Sequence, residues 1–297
     1  MTLLTVDKYK VKLSNLDKVF WPLYNFTKGD LIDYYIKVYP VIKEYLKDRP
    51  LSLKIYPDGI DGKYFFQKNA PDHAPEWLST STIYSGHRRE SINWVIANKL
   101  SDLIWIANSG SVELHSWFST SQKPNIPSFA VFDLDPGENS SFQDVIEVSF
   151  LIKKILDELA LKTFVKTSGK SGLHIYIPLH EKYNYKQIKD FLKAVSEMVV
   201  KVKPELATIE WRKKQREGRV YIDYRQNGRG KTLPVPYSLR PTPHANISTP
   251  LYWDELYNNI IKPEDFNLNT IESRITIENP WKNFFSTKQE LPHFLIH

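Results

Sequence analysis

The sequence predicts an α+β protein with a strand-and-helix unit at its centre and a mixed lobe before it. Residues 128–224 hold strand-like and helical segments in the order β-α-β-β-α-β. Both helical segments of this part keep one apolar face. The N-terminal part adds one long helical segment among short strand-like runs. These three observations indicate a sheet packed against helices.

The N-terminal lobe comprises residues 1 to about 125. Its helical segment, "GDLIDYYIKVYPVIKEYLKD", is expected to be interrupted at Pro40, because proline lacks the N–H group that the helix ladder needs. The runs "LSLKIY", "DLIWIA" and "SVELHSW" have the short apolar character of strands. We therefore expect an α/β lobe here.

The central part, from about 126 to 245, contains the clearest elements. Its strands are "SFAVFDLD", "KTFVKT", "LHIYIP" and "RVYIDY", and its helices are "SFQDVIEVSFLIKKILDELA" and "YKQIKDFLKAVSEMVVKV". This order is that of a ferredoxin-like (RRM-like) unit, which occurs in nucleotidyl-transfer sites and in RNA-binding modules alike. The tail, from about 246 to 297, ends in "ENPWKNFFSTKQELPHF", whose aromatic side chains are expected to pack on the body.

Composition limits the class of protein. The chain has 297 residues, of which 41% are hydrophobic and 25% charged, and this suits a globular protein with a proper core. No apolar run approaches the roughly 20 residues that span a bilayer, so we expect a cytoplasmic protein without a membrane partner. The absence of cysteine excludes disulfides, thiol nucleophiles and cysteine-based zinc sites. A net charge of +6 and many aromatic residues are compatible with a nucleic-acid partner.

Two carboxylates end the first central strand, in "FDLDPG". Asp133 and Asp135 are two residues apart, so their side chains leave the same face of the strand. Two adjacent anions repel each other unless a cation lies between them or one is protonated. The simpler interpretation is a polar strand end that enters a turn, with Gly137 in the left-handed region.

The stretch "TSGKSGLHIYIP" is a Ser/Gly/Lys loop that runs into a strand. Such a loop offers backbone N–H groups, hydroxyls and a cation to an anion, although a plain hairpin turn has the same composition. It lacks the spacing of a Walker loop, and a strand follows it instead of a helix. In the simplest wiring we expect the first and third central strands to be parallel. That wiring would put this loop at the opposite end of the sheet from Asp133.

A third acidic residue and a basic cluster lie in "EWRKKQREGRVYIDYRQNGRGKT". Asp223 lies within a strand, where an unpaired charge is costly, and a buried salt bridge with Arg219 or Arg225 would also explain it. Arg216 and Arg219 belong to the basic cluster just before the strand. Such a cluster is usually a solvated loop, but here it would raise the electrostatic potential beside the acidic residues.

Together these stretches suggest phosphoryl transfer. Asp133, Asp135 and Asp223 would hold two divalent cations, one activating a primer 3′-hydroxyl and the other neutralising the triphosphate of an incoming nucleotide. Such catalysis depends mainly on positioning and charge neutralisation. The residues expected to bind the triphosphate are Ser168, Lys170, Ser171, His174 and Arg240.

The motifs "FDLDP", "TSGKSGLHIYIP" and "VYIDYRQN" resemble the three motifs of the archaeo-eukaryotic primase superfamily. More closely, the chain resembles the polymerase domain of bacterial ligase D and its stand-alone archaeal relatives. The segments "LDKVFWP", "FTKGDLIDYY", "RPLSLKIYPDGIDGKYFFQKNAP", "ELHSW", "SLRPTP" and "NPW" carry the likeness along nearly the whole chain. The resemblance implies one polymerase domain over residues 1–297, with the central part as its catalytic palm.

The resemblance also implies an activity. Members of this family are template-dependent polymerases of non-homologous end joining that add nucleotides, often ribonucleotides, to DNA ends with manganese or magnesium. Its metal-binding aspartates correspond to Asp133, Asp135 and Asp223. DNA with a 5′-phosphorylated gap or a 3′ overhang would be the partner, with Ku and a DNA ligase, and the protein would lie at the nucleoid.

Further residue roles follow from the resemblance alone. Lys18 and Lys28 correspond to lysines that hold the downstream 5′-phosphate, although by position they are any two surface lysines. His115 corresponds to a histidine near the nucleotide, and a core histidine on a strand explains it equally well.

Other family residues concern the DNA. Phe65 and Phe66 correspond to aromatics that stack on a base, and Lys54 and Lys68 to possible DNA contacts. Since adjacent residues on a strand face opposite sides, at least one of the two phenylalanines is expected in the core. The loop "YSGHRRES", with His87, Arg88 and Arg89, falls where the family has a mobile loop that engages the template.

Several alternatives stay open at this point. A metal nuclease could use the same carboxylates, a non-catalytic module could bind 5′-phosphorylated ends, and a general primase-polymerase could start chains without a primer. Ribose preference, choice of metal, oligomeric state and dependence on Ku do not follow from the sequence. The segments that resemble the family begin soon after Met1, which favours a natural N-terminus. The C-terminus is compatible with a stand-alone protein and with a piece of a longer ligase.

Overall fold

Two units divide the chain in the computed structural model, which describes residues 2–86, 89–257, 261–276 and 279–295. Unit 1 comprises Met1–Gln122, Thr232–Ser248 and Phe266–Ile277. Unit 2 comprises Lys123–Lys231, Thr249–Asp265 and Glu278–His297. The chain therefore passes between the units several times, and segments of the predicted palm and tail fall in both.

Unit 1 contains a four-stranded antiparallel sheet in the order β15-β9-β5-β6 and three two-stranded hairpins, β1-β2, β3-β4 and β7-β8. The strands of this unit are β1 (Thr2–Val6), β2 (Tyr9–Leu13), β3 (Val19–Trp21), β4 (Phe26–Thr27), β5 (Leu51–Ile55), β6 (Phe65–Gln67), β7 (Thr80–Ser85), β8 (Glu90–Val95), β9 (Ser111–Trp117) and β15 (Thr232–Pro234). Its helices are α1 (Lys28–Leu46), α2 (Leu100–Asn108) and α6 (Ile271–Thr276).

Helix α1 continues through Pro40, so the predicted interruption is wrong. A capping box starts the helix: the Thr27 hydroxyl accepts a hydrogen bond from the N–H of Asp30, and the Asp30 carboxylate accepts one from the N–H of Thr27. Val38 and Ile42 are fully buried on either side of the proline. Burial of this face along the whole helix offsets the one lost backbone hydrogen bond.

The run "DLIWIA" belongs to helix α2, and its prediction as a strand is therefore wrong. The Asp102 carboxylate accepts hydrogen bonds from the N–H groups of Asn98 and Lys99, which caps the start of the helix. Leu103 and Ile106 are fully buried. A short apolar run shows no period that distinguishes a buried helix from a buried strand. Here the capping hydrogen bonds of Asp102 favour the helix.

Unit 2 is built on a six-stranded sheet in the order β13-β14-β10-β12-β11-β16. Its strands are β10 (Phe129–Pro136), β11 (Phe164–Thr167), β12 (Leu173–Pro178), β13 (Ala207–Thr208), β14 (Val220–Asp223) and β16 (Pro250–Leu251). Its helices are α3 (Phe142–Glu158), α4 (Tyr185–Val202) and α5 (Asp254–Tyr257). The β-α-β-β-α-β order is confirmed, with α3 and α4 at or within three residues of their predicted bounds.

The wiring of this sheet corrects one expectation. Strands β10 and β12, the first and third of the unit, are antiparallel, with Leu134 opposite Leu173. The parallel pair is β10 and β11, which β12 separates. The Gly-rich loop precedes β12, so it lies at the end of β10 that carries Asp135. The expectation that this loop lies at the opposite end of the sheet from Asp133 is therefore wrong.

Two layers cover the central strands. Helices α3 and α4 contact each other and β10. The tail aromatics pack on the same face of the sheet as Asp133, with Trp281 5.0 Å from Tyr176 and Phe284 5.8 Å from Phe129 between ring centroids. The predicted packing of the tail is thereby confirmed. Among the described residues, no helix has both the length and the apolar character that a membrane span requires.

Candidate active site

A row of charged side chains crosses the sheet of unit 2. Lys166, His174, Asp133 and Asp223 are register partners in turn across β11, β12, β10 and β14, so all four leave the same face. The His174 Nε2 atom lies 3.2 Å from the Asp133 carboxylate. Lys166 is fully buried, and its Nζ atom lies 3.5 Å from the Thr167 carbonyl. The row brings two of the predicted aspartates and one predicted nucleotide ligand together.

The two facing carboxylates are electrostatically coupled. Burial, and then the charge of Asp133, raise the pKa of Asp223 above its ordinary value. The nearby Lys231, the N–H of Arg225 and the Tyr221 hydroxyl act in the opposite direction. The N–H of Arg225 donates to the Asp223 carboxylate at 2.9 Å. A positive charge close to the two carboxylates would therefore stabilise their ionised forms.

Asp135 completes the set on the same face, two residues beyond Asp133 and opposite Tyr221. Gly172 lies against this end of β10: a Cβ atom at that position would be 2.0 Å from the Leu134 carbonyl oxygen and 3.5 Å from Asp135 Oδ1. Only glycine permits this approach, since real Cβ contacts do not come below 3.0 Å. The Gly-rich loop is thus packed directly beside Asp135.

Hydrogen bonds within the Gly-rich loop fix its shape. The buried Ser168 hydroxyl accepts from the N–H groups of Lys170, at 3.2 Å, and Gly172, at 3.0 Å. The Ser168 N–H donates to the Gly172 carbonyl at 2.9 Å. Lys170 and Ser171 are exposed at the tip. The loop therefore presents an ammonium and a hydroxyl to solvent from a fixed backbone, whereas Ser168 is used inside the loop.

The donors on this face suit a hard divalent cation in type, because carboxylate oxygens are what Mg²⁺ and Mn²⁺ bind. Within the described residues, no group of three or more His, Asp or Glu side chains is already arranged to hold a metal ion. The three aspartates share a face and a strand end, but their carboxylates do not form a closed ligand set.

Arg216 and Arg219 hold a loop against the turn that follows Asp135. The Arg216 guanidinium lies 3.5 Å from the centroid of the Tyr221 ring. The Arg219 carbonyl accepts a hydrogen bond from the N–H of Gly137 at 3.0 Å. A Cβ on Gly137 would lie 2.5 Å from each of the two arginine carbonyl oxygens. The basic loop therefore packs on the acidic strand end through backbone and ring contacts.

In unit 1 a buried carboxylate joins three of the predicted residues. Glu113 Oε2 lies 2.5 Å from His115 Nε2 and 3.7 Å from an Arg240 Nη atom, and Oε1 lies 3.4 Å from Lys54 Nζ. Burial would raise the pKa of Glu113, but the His115 hydrogen bond and the two cations outweigh it and lower the pKa to about 2. Burial lowers the pKa of His115, which favours the neutral imidazole. Two cations thus share one carboxylate.

Arg240 retains unused donor capacity in this cluster. Its side chain is almost fully buried, and among the described residues its Nε atom has no hydrogen-bond partner. The Lys54 ammonium lies 4.0 Å from the centroid of the Tyr64 ring. Lys54 is therefore a buried, paired side chain and not a surface lysine.

The predicted stacking aromatics are both exposed. Phe65 is 49% and Phe66 54% exposed, so the expectation that one of them lies in the core is wrong. Strand β6 is the edge strand of its sheet and pairs with β5. Phe66, Lys68 and Glu90 line an open cleft of about 660 Å³. Phe66 also contacts the His115 ring edge-on at 6.3 Å.

Lys18 and Lys28 lie together at the start of helix α1. The N–H of Lys28 donates to the Lys18 carbonyl at 2.8 Å. Burial, and then the charge of Lys18, lower the pKa of Lys28. The Lys28 ammonium donates to the Ser14 carbonyl at 2.7 Å, and Lys18 pairs with Asp58. Two cations at a helix N-terminus form a surface suited to an anion. Of the loop at 87–89, His87 and Arg88 lie outside the described residues.

Two residues of these sites were not predicted. Glu113 was missed, although it precedes His115 by two residues and so shares its face in "ELHSW", a periodicity that could have indicated it. Lys231 was missed because its relation to Asp223 depends on the turn at 224–231, where the Lys231 ammonium donates to the Arg225 carbonyl at 2.6 Å. No periodic pattern in the sequence predicts such a turn.

The sequence matches the family described as the LigD primase-polymerase domain over residues 27–281. The chain belongs to this family. The bifunctional non-homologous end joining protein LigD of Bacillus subtilis is 32% identical over 285 residues, which cover 95% of this chain and 45% of that protein. The multifunctional non-homologous end joining DNA repair protein LigD of Mycobacterium tuberculosis H37Rv is 34% identical over 260 residues, which cover 85% of this chain and 34% of that protein. The chain thus spans less than half the length of these relatives.

Structural similarity agrees with this membership. The polymerase domain of Mycobacterium tuberculosis ligase D, solved in complex with DNA, is similar with a TM-score of 0.87 and 30% identity, covering 94% of this chain and 99% of that chain. The predicted resemblance and the mixed fold of helices and sheets are confirmed. The polymerase role fits this family membership and this fold.

Proposed function

We propose that this chain is a template-dependent nucleotidyltransferase that fills gaps and extends 3′ ends in non-homologous end joining. One observation carries the proposal: in a LigD primase-polymerase domain, Asp133 opposes Asp223 across two strands, and a fixed Gly-rich loop lies at the same strand end. This arrangement puts anionic ligands beside a cationic loop. Transfer of a nucleotidyl group requires both.

Asp133, Asp135 and Asp223 would hold the divalent ions, manganese or magnesium. Burial, and then the charge of Asp133, raise the pKa of Asp223, and a bound cation would offset both effects. When bound, two such ions supply charge neutralisation at the triphosphate and activation of the primer 3′-hydroxyl. His174 orients the Asp133 carboxylate through the 3.2 Å contact.

The other residues of unit 2 would bind the triphosphate. Lys170 and Ser171 are exposed at the loop tip, where they can reach phosphate oxygens, and Ser168 keeps the loop in shape. Lys231 adds a positive charge near Asp223. Arg216 and Arg219 raise the potential of this edge and keep the turn after Asp135 in place.

The residues of unit 1 would contribute recognition of nucleotide and DNA. The cluster of Lys54, His115 and Arg240 carries two cations for one carboxylate, and this surplus of positive charge suits a nucleotide phosphate. The exposed rings of Phe65 and Phe66 suit base stacking, with Lys68 in the adjoining cleft. We further propose that ribonucleotides are preferred.

Lys18 and Lys28 would bind the 5′-phosphate at the downstream side of a gap. Their carbonyl and carboxylate partners hold both ammonium groups in place without neutralising the charge of Lys28. The natural setting would be the nucleoid in the cytoplasm, with Ku and a DNA ligase as partners. DNA with a phosphorylated gap or a 3′ overhang would be the substrate.

Primer extension on a gapped duplex tests this proposal. A labelled primer is incubated with ribo- or deoxynucleotides in manganese or magnesium, with wild type and Asp133→Ala. We expect templated addition that requires Asp133 and favours ribonucleotides. The same reactions are run with a 5′-phosphate or a 5′-hydroxyl downstream of the gap, and the phosphate should stimulate extension.

Other outcomes would replace the proposal. Shortened DNA under these conditions would indicate a nuclease, and tight binding without extension would indicate an end-binding module. Synthesis without a primer, or extension that ignores the 5′-phosphate, would indicate a general primase-polymerase. Extension by Asp133→Ala at the wild-type rate would rule out the assigned acidic site.

A further inference from the structure

An exposed tryptophan lies in the basic loop of unit 2. The Trp211 side chain is 59% exposed, which is unusual for the largest apolar side chain. It precedes three consecutive cations, Arg212, Lys213 and Lys214, which are also exposed. The aspartate row, the Gly-rich loop and the turn contacts described above make no use of these four side chains.

The backbone under this tryptophan is held in place. The Arg216 guanidinium donates from Nε to the Glu210 carbonyl at 2.9 Å and from a second nitrogen to the Trp211 carbonyl. The N–H of Arg212 donates to the Glu210 carboxylate at 3.0 Å, and the N–H of Glu210 donates to the Thr208 hydroxyl at 3.1 Å. The indole is therefore presented to solvent from an anchored segment.

The three cations that follow have unsatisfied charges. Within the described parts of the chain, no carboxylate pairs with the side chains of Arg212, Lys213 or Lys214. Residues 210–219 contain five cations and two carboxylates, so a large share of the net charge of +6 is concentrated here. A flat apolar ring beside unpaired cations is the combination that binds unpaired bases and their phosphates.

This surface is connected to the acidic strand end by direct contacts. Arg216, which anchors Trp211, stacks on the Tyr221 ring at 3.5 Å. Tyr221 is the register partner of Asp135. The Arg216 and Tyr221 side chains thus link the backbone of Trp211 to the strand end that carries Asp135, within one unit.

We propose that Trp211, with Arg212, Lys213 and Lys214, is a binding site for single-stranded DNA beside the acidic face. One base stacks on the indole, and the phosphates on either side contact the three cations. The bases of a duplex are already stacked on each other, so the site selects unpaired segments such as the overhang of a broken end. The inference deepens the proposed function and rests on it for the identity of the strand.

Binding of a fluorescent oligothymidylate of about 12 nucleotides tests the site, since single-stranded sites cover about 4 to 16 nucleotides. The strand carries a 5′-hydroxyl, so that Lys18 and Lys28 have no phosphate to bind, and divalent ions are left out. We expect Trp211→Ala to weaken binding at least about fivefold, the lower end of the range for one stacked base. Trp211→Tyr should retain most of the affinity, and Trp211→Leu should not.

Salt dependence separates stacking from charge. Trp211→Ala should leave the slope of log K against log salt unchanged, whereas Lys214→Ala should reduce it by about 0.7, the value for one phosphate contact on a single strand. Tyr257→Ala is the control: Tyr257 is 60% exposed on the same unit with lysines beside it, but its ring stacks on Phe150 and the neighbouring Lys153 pairs with Asp157. Its affinity should equal that of wild type.

Three results would each overturn the proposed site. Trp211→Ala could bind the oligonucleotide as tightly as wild type, Tyr257→Ala could lose as much affinity as Trp211→Ala, or Trp211→Leu could keep the full affinity. The proposed polymerase function is tested separately from this binding site. If Asp133→Ala binds the strand normally but does not extend a primer, both proposals stand. If wild type binds the strand through Trp211 but extends no primer, the binding site stands and the polymerase proposal is wrong.

Discussion

Asp133 lies directly opposite Asp223 in the antiparallel pair formed by β10 and β14, with the two carboxylates on one face of the sheet. Side chains opposite each other in such a pair have Cβ atoms about 4.5 to 5.5 Å apart. A core built for stability alone would not place two like charges at that separation. The relationship is therefore consistent with the cation site that we propose here.

Asp133→Asn should separate function from stability. The amide has the shape of the carboxylate and removes one of the two like charges, so the free energy of unfolding in metal-free buffer should stay unchanged or rise by up to about 1 kcal/mol. The pKa of Asp223 should fall, and primer extension should be lost. Urea unfolding, carboxylate titration by NMR and the extension assay measure these three effects.

Manganese provides the control for this variant. It should raise the melting temperature of wild type, because a ligand that binds only the folded state stabilises it, and should do so much less for Asp133→Asn. A large loss of stability in metal-free buffer would mean that Asp133 is a structural residue.

Gly172→Ala should displace the Gly-rich loop from the acidic strand end. The new Cβ would lie 2.0 Å from the Leu134 carbonyl, and a backbone group cannot rotate away as a side chain can. We expect a loss of roughly 3 kcal/mol in the free energy of unfolding and a strong loss of extension. Gly86→Ala is the control for stability, because nothing lies within 4 Å of its Cβ position. Chemical unfolding of both variants, with extension assays on Gly172→Ala and wild type, decides whether the close approach matters.

Much of the fold of unit 2 could be predicted from its periodicity. Helix α4 has its predicted bounds, because its apolar positions repeat at helical spacing and Asn184 caps its start. The run at 102–107 was predicted wrongly as a strand, since six mostly apolar residues show no period that distinguishes a helix from a strand. Strand direction in the sheet is a property of the whole chain path, and assuming a parallel pair gave the wrong end for the Gly-rich loop.

The candidate site was predictable only where its residues are close in sequence. Asp133 and Asp135 share one strand, and strand geometry puts them on one face. Glu113 lies in the middle of an apolar strand, and its partner Lys54 is 59 residues away, so the cluster depends on the pairing of β5 and β9. The exposure of both Phe65 and Phe66 on the edge strand β6 depends on tertiary packing, which no local sequence pattern predicts.

Glu113→Gln should destabilise unit 1 at neutral pH and much less in acid. Folding lowers the pKa of Glu113 from 4.5 to about 2, so the ionised carboxylate contributes its full stability above about pH 4.5 and loses it as the pH falls toward 2. At pH 7 the variant leaves Lys54 and Arg240 without their shared anion, which costs about 3 kcal/mol. Urea unfolding of wild type and variant at pH 7 and near pH 3 measures the difference, which should shrink in acid. Constant destabilisation at both pH values would mean that the effect is steric.

Lys28→Met should remove recognition of the downstream 5′-phosphate while leaving the fold intact. The pKa of Lys28 is lowered by burial and by Lys18, so a doubly negative phosphate would restore the balance of charge at the start of helix α1. We expect the preference for gapped DNA with a 5′-phosphate over a 5′-hydroxyl to fall about tenfold, the effect of losing one charge-assisted hydrogen bond. Lys47→Met, at the other end of the same helix, is the control and should keep the preference. Competition binding with the two DNA forms decides the question: a preference that survives Lys28→Met would mean that the phosphate binds elsewhere.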